Sequence, residues 1–118
     1  MRVLVCGDRN WGDYALVLQK LNGIGAAPHT VIDGACCGAD SCGNRAAMSL
    51  NWPFMRFPAD WEKYGRAAGP IRNQQMLDEG RPDLILAFHD NIEHSKGTSD
   101  MVRRARKAGI PVEVISHG

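Results

Sequence analysis

The stretch Asp83-Leu84-Ile85-Leu86-Ala87-Phe88-His89-Asp90-Asn91-Ile92-Glu93-His94-Ser95-Lys96-Gly97-Thr98-Ser99-Asp100 decides the reading of this chain. Leu84 to Phe88 is a continuous apolar run, the pattern of a parallel strand covered on both faces. A polar loop follows and ends in Lys96-Gly97-Thr98 at the start of a helix. Ligands of open α/β sheets bind outside the carboxyl ends of the strands, and a glycine before a helix N-terminus lets backbone N–H groups approach a phosphate. The stretch therefore predicts a buried strand with an anion site at its end.

Working outward, the same grammar repeats. Val3-Leu4-Val5 is a second short apolar run, followed by the loop Gly7-Asp8-Arg9-Asn10-Trp11-Gly12 and a helix that Asp13 can cap, with Tyr14, Val17, Leu18 and Leu21 at helical spacing. Thr30-Val31-Ile32 is followed by Gly34-Ala35-Cys36-Cys37-Gly38-Ala39-Asp40, and Asp40 or Ser41 can cap the next helix, whose face of Gly43, Ala46, Ala47 and Leu50 suits close packing on a sheet. Pro53-Phe54-Met55-Arg56-Phe57 reads as an edge strand because proline cannot donate to a ladder. Residues 58–69 form the longest irregular stretch, and Pro70 suits the first turn of a helix that runs to Gly80. Beyond the opening stretch, Met101, Val102, Ala105 and Ala108 share a helical face, and Pro111-Val112-Glu113-Val114-Ile115 is the fifth strand. Strict strand–helix alternation with right-handed crossovers predicts one α/β domain over residues 1–118, a three-layer fold around a five-stranded parallel sheet of order 3-2-1-4-5.

Bulk properties exclude several classes of function. The 118 residues suffice for one core, and no apolar run approaches the roughly 18 residues of a membrane span. The first strand begins at once, without a signal-peptide pattern, so the expected location is the cytoplasm. A formal net charge of +1 supplies no general field for a nucleic-acid backbone, and Arg103, Arg104, Arg106 and Lys107 read as the solvated side of the last helix. Four cysteines without a C-x-x-C knuckle predict reduced side chains and no metal site. His89 and His94 do not have metal-pair spacing and read as polar loop surface. No cofactor signature is present, since neither G-x-G-x-x-G nor the G-K-[ST] ending of a P-loop occurs.

Three glycine turns, around Gly7, around Gly34 and Gly38, and at Lys96-Gly97-Thr98, each join a strand to a helix, so a parallel sheet places them on one edge. Their convergence points to a shared anion site. Arg72, read as lying in the first turn of a helix from Pro70, would oppose the helix dipole at ~0.3–1 kcal/mol, which an anionic ligand or a carboxylate partner would offset. Arg9 carries a similar argument, and Asn73 adds a polar group beside Arg72. Trp61 in the long stretch either stacks on a base at ~1–3 kcal/mol or plugs the loop onto the body; Trp11 offers the same two readings. Asp100, read as first-turn, either caps its helix or acts on a ribose, and Asp8 and Asp33 are further carboxylate candidates.

Gly7-Asp8-Arg9-Asn10-Trp11, Gly34-Ala35-Cys36-Cys37-Gly38-Ala39-Asp40, Gly69-Pro70-Ile71-Arg72-Asn73-Gln74-Gln75-Met76 and Lys96-Gly97-Thr98-Ser99-Asp100-Met101 together resemble the YspA/YpsA-related branch of the SLOG superfamily, whose relatives include the Lonely Guy phosphoribohydrolases and the DprA proteins. The resemblance implies a Rossmann-like domain, frequently dimeric, that binds a nucleotide or nucleotide-derived small molecule. In the Lonely Guy enzymes an arginine after the third strand and the glutamate of P-G-G-x-G-T-x-x-E carry cleavage of an N-glycosidic bond. Arg72 is similar to that arginine. The glutamate position falls on Met101, with Asp100 one place earlier, and one residue on a helix turns a side chain by about 100°. The resemblance thus implies ligand binding around Gly7, Arg9, Trp11, Gly34, Gly38, Asp40, Trp61, Asn73, Lys96, Gly97 and Thr98, as a sensor or sequestering protein. The alternative is hydrolysis by Arg72 and Asp100.

Overall fold

Val3, Leu4 and Val5 have no exposed surface, because their strand is covered on both sides. A computed structural model describes residues 1–26 and 28–118. Among these residues, strands β1 (Arg2–Gly7), β2 (Thr30–Asp33), β3 (Phe54–Arg56), β4 (Leu84–Phe88) and β5 (Val112–Ile115) form one all-parallel sheet of order β3-β2-β1-β4-β5. The expected topology is thus found, with β1 and β4 side by side at the point where strand order reverses. Burial follows position in the sheet: Ile85 to Phe88 of β4 are buried, whereas Phe54 on β3 and Val114 on β5 are exposed, as edge strands allow.

Side chains alternate across β1 and thereby divide the apolar core into two layers. On one face Val3, Val5, Val31, Leu86 and Phe88 pack with Val17 and Leu21 of α1 (Tyr14–Asn22) and with Ala46 and Ala47 of α2 (Ala39–Ser49). On the other, Leu4, Cys6, Ile32, Ile85 and Ala87 meet Met76 and Leu77 and the Met101, Val102 and Ala105 face of α5 (Lys96–Lys107). The small-residue face of α2 does what its composition predicts, since a side chain at Gly43 would collide with Val5. Ala108 departs from expectation: it is the exposed C-cap of α5.

The stretch expected to be irregular contains structure. Asp60 caps a one-turn helix, α3 (Trp61–Tyr64), by accepting from the Lys63 N–H at 3.1 Å. A 3-10 turn, Gly65–Ala67, then runs into α4 (Ala68–Gln75), which continues as a π turn, Met76–Gly80, closed by Arg81 in the left-handed region. Helix α4 therefore begins two residues before Pro70. Helix α2 is capped by Gly38 instead of Asp40 or Ser41, and Ser95 caps α5, so Lys96, Gly97 and Thr98 form its first turn. Among the described residues no helix is long and apolar enough to cross a membrane.

Candidate functional site

At the carboxyl ends of β1 and β4 the strand-to-helix turns surround a cavity of about 190 Å3. Its walls come from Cys6, Gly7, Asp8 and Arg9 of the first turn, Cys36 and Asp40 of the second, Arg72 and Asn73 of α4 with Met76 of the π turn that continues it, and His89, Ser95, Gly97, Thr98 and Met101 of the last turn and the α5 start. The first two turns are locked together. The Asp8 carbonyl accepts from the N–H groups of Trp11 and Ala39, both at 3.0 Å. Gly38, at φ 72, passes so close that a Cβ would overlap that carbonyl, and a Cβ on Gly7 would overlap the carbonyl of Phe88. Only glycine lets the three backbones approach this closely.

Asp40 holds the second turn from within. Its carboxylate accepts from the N–H of Gly34 at 3.1 Å and of Cys36 at 3.3 Å. Burial and the neighbouring Asp33 push its pKa up to about 6, against the lowering effect of Arg72 and these two hydrogen bonds. Asp33 is fully buried, accepts from the Ala35 N–H at 2.7 Å and pairs with Arg56 at 2.9 Å. Burial still leaves its pKa raised. The two acids make this corner electronegative, with Arg56 set against Asp33 and Arg72 against both.

Arg72 lies one full turn into α4, so the dipole argument based on a start at Pro70 does not apply. What holds the side chain is long-range. Its Nη1 donates to the Gly34 carbonyl and its Nε to Asn73 Oδ1 at 3.2 Å. A guanidinium has five N–H donors, so these bonds orient it without exhausting it. Asn73 is buried and reaches across to α5, donating to the Gly97 carbonyl at 3.3 Å and to Asp100 at 3.0 Å.

Asp100 is the fifth residue of α5, not a first-turn residue, and does not line the cavity. It pairs with Arg103 at 2.5 Å and Arg104 at 2.8 Å. Burial raises its pKa, but hydrogen bonds from Asn73 and Arg104 and the charges of both arginines outweigh this and hold it below the ordinary 3.8. Met101, only 1% exposed, lies in the cavity wall in its place.

The remaining candidates separate cleanly. Gly7, Arg9, Asp40, Arg72, Asn73, Gly97 and Thr98 line the cavity, and Gly34 and Gly38 shape the turn behind it. Lys96 is exposed outside the lining. Trp11 belongs to the core: it is 5% exposed, tilts against Phe88 at 5.6 Å and is covered by the stacked ring of His117 at 4.5 Å. Trp61 sits on α3, 57% exposed and outside the lining. Sequence reasoning missed Cys6, Cys36, Met76 and Ser95 as wall residues and treated His89 as surface. Position alone would have found Cys6 and His89, which lie at the carboxyl ends of the two central strands. Among the described residues no group of three or more His, Cys, Asp or Glu side chains could hold a metal ion.

A family model described as "YspA, cpYpsA-related SLOG family" matches residues 1–64, the segment carrying β1, β2, both glycine turns and β3. The chain is 38% identical over 119 residues to the Gene 61 protein of Mycobacterium phage D29, an alignment covering 94% of this chain and 93% of that protein. No solved structure matches significantly. With the family model matching more than half of the chain, and with the parallel sheet and interlocked glycine turns in place, the chain belongs to the YspA, cpYpsA-related SLOG family.

Proposed function

We propose that the cavity binds the phosphate-bearing part of a nucleotide or nucleotide-derived ligand and that the protein senses or sequesters this ligand without cleaving it. The observation that carries the reading is the placement of Arg72, held over the second turn by Gly34 and Asn73 in a cavity that the α5 N-terminus also lines. A fixed guanidinium opposite backbone N–H groups at a helix start is a recurrent way to hold a phosphate. Arg9 at the exposed rim adds a second cation. A cavity of about 190 Å3 lies below the usual 300–1,000 Å3 of sites that enclose a whole ligand, so the base would project from it. Cleavage has less support, because Asp100 is occupied by two arginines outside the lining and Met101 offers no acid or base.

The test is to incubate the protein with a panel of nucleoside monophosphates and ADP-ribose derivatives, following the thermal transition and free base by chromatography. An upward shift without base release, lost in Arg72→Ala, is expected. Base release abolished in both Arg72→Ala and Asp100→Asn would replace binding by hydrolysis. No response to any member of the panel would overturn both.

A further inference from the structure

The second turn also presents two adjacent thiols that the proposed site does not use. All four cysteines are free, and the sulfur atoms of Cys36 and Cys37 stand 3.8 Å apart. Cys37 is exposed, and Cys36 is half-buried in the cavity wall. The turn holds this pair firmly: the Cys36 N–H donates to Asp40, its carbonyl accepts from Ser41 Oγ at 2.8 Å, and Ala35 and Gly38 flank the pair at φ 56 and φ 72.

A direct S–S bond suits this geometry poorly. It would need the sulfurs at ~2.05 Å, and disulfides usually join Cα atoms at least ~4.4 Å apart, whereas consecutive Cα atoms are ~3.8 Å apart. One soft atom bridging both sulfurs suits it well. A pyramidal three-coordinate centre holds two sulfurs somewhat closer than the 3.8 Å found here, an approach that rotation of the exposed Cys37 side chain supplies. Among the described residues no further His, Cys, Asp or Glu side chains complete a three-ligand set, so a centre satisfied by two thiols fits better than a four-ligand zinc site.

We propose that Cys36 and Cys37 form a bidentate site for a trivalent organoarsenical, with one arsenic atom bridging the two sulfurs at the rim of the cavity. The reaction is a condensation with an arsonous acid, R–As(OH)2. Two As–O bonds break and two As–S bonds form, and each thiol proton leaves on a hydroxyl as water. Arsenic stays trivalent, so no oxidant or reductant enters.

The experiment uses the reduced full chain and phenylarsonous acid, read by intact mass, free-thiol titration and circular dichroism. The expected result is one adduct per chain with loss of two titratable thiols, reversed by a small dithiol but not by the same concentration of a monothiol. The adduct should vanish in Cys36→Ser and in Cys37→Ser and persist in Cys42→Ser. Because Cys37 is exposed, Cys37→Ser should retain the thermal transition, so a monothiol-resistant adduct surviving in that folded variant overturns the site. So does an adduct that the monothiol reverses, or none in the wild-type chain. Nucleotide binding plays no part in these readouts, so they stand or fall independently of the phosphate reading.

Discussion

Gly97 shows what a single residue can separate. A side chain there would meet nothing within 4 Å, and the residue sits in the first turn of α5 at ordinary helical geometry. Nothing in the fold requires glycine at this position, and alanine should stabilise the helix by up to about 1 kcal/mol. If the N–H of this turn approaches a phosphate, the added methyl group stands in the way. Gly97→Ala should therefore raise the denaturation midpoint and weaken nucleotide binding in the same protein; unchanged affinity would remove Gly97 from the site. Gly38 is the opposite case. Its φ of 72 and its approach to the Asp8 carbonyl make Gly38→Ala destabilising by several kcal/mol, in the range of about 3 kcal/mol or more that accompanies strain and overpacking together. Chemical denaturation distinguishes the two glycines, which look alike in the sequence. Arg72 marks another limit on reading residues: its partner Gly34 lies 38 positions away, so only the fold could reveal the clamp.

At the scale of elements, the strands were readable because each is a short apolar run ended by a turn residue, and parallel order followed from the alternation with helices. Helix beginnings were less readable. Ser95 lies one residue before the expected start and accepts from the Thr98 N–H at 3.1 Å, so Ser95→Ala should cost about 1 kcal/mol in equilibrium unfolding. A loss well below a few tenths would show that the Ser95 hydroxyl does not cap the helix. Helix α4 has no side-chain cap at Ala67, because a 3-10 turn leads directly into it, so the usual polar signal is missing. Helix α3 is four residues long, too short for any periodicity to show. The shifted start of α4 carried Arg72 out of the first turn, which is why the dipole argument failed while the residue still reached the cavity.

The whole molecule should respond to pH through three groups with the same sign, Asp33, Asp40 and His117. Asp40 ionises at 3.8 when unfolded and at about 6 when folded. Between these values the folded chain holds a proton the unfolded chain has lost, so stability falls as pH rises across that window. The carboxylate hydrogen bonds offset part of this. Asp40→Asn should flatten the slope between the two values, as measured by urea midpoints across pH. His117 donates from its two ring nitrogens to the carboxylates of Asp90 and Asp13 at 2.9 and 2.8 Å, and these bonds raise its pKa above 6.5. Its contribution is fully present below 6.5 and is lost as pH rises through the raised value. Asp13, Asp90 and Asp100, all held below 3.8, act in the other direction: their contribution is fully present above 3.8 and is lost as pH falls through their lowered values. Maximum stability should therefore lie on the acid side of neutrality, and His117→Ala should remove the decline above 6.5 without touching the lower one.

The stacking of His117 on Trp11 has an optical consequence. Trp11 and Trp52 are 5% and 6% exposed, while Trp61 is 57% exposed, so the three indoles differ in emission colour and in access to a dissolved quencher. A protonated imidazole in face contact at 4.5 Å accepts an electron from an excited indole, and a neutral one does so far less. Blue-shifted emission from Trp11 should therefore brighten as His117 loses its proton, giving the chain an internal fluorescent indicator of whether its last residues are seated on the body.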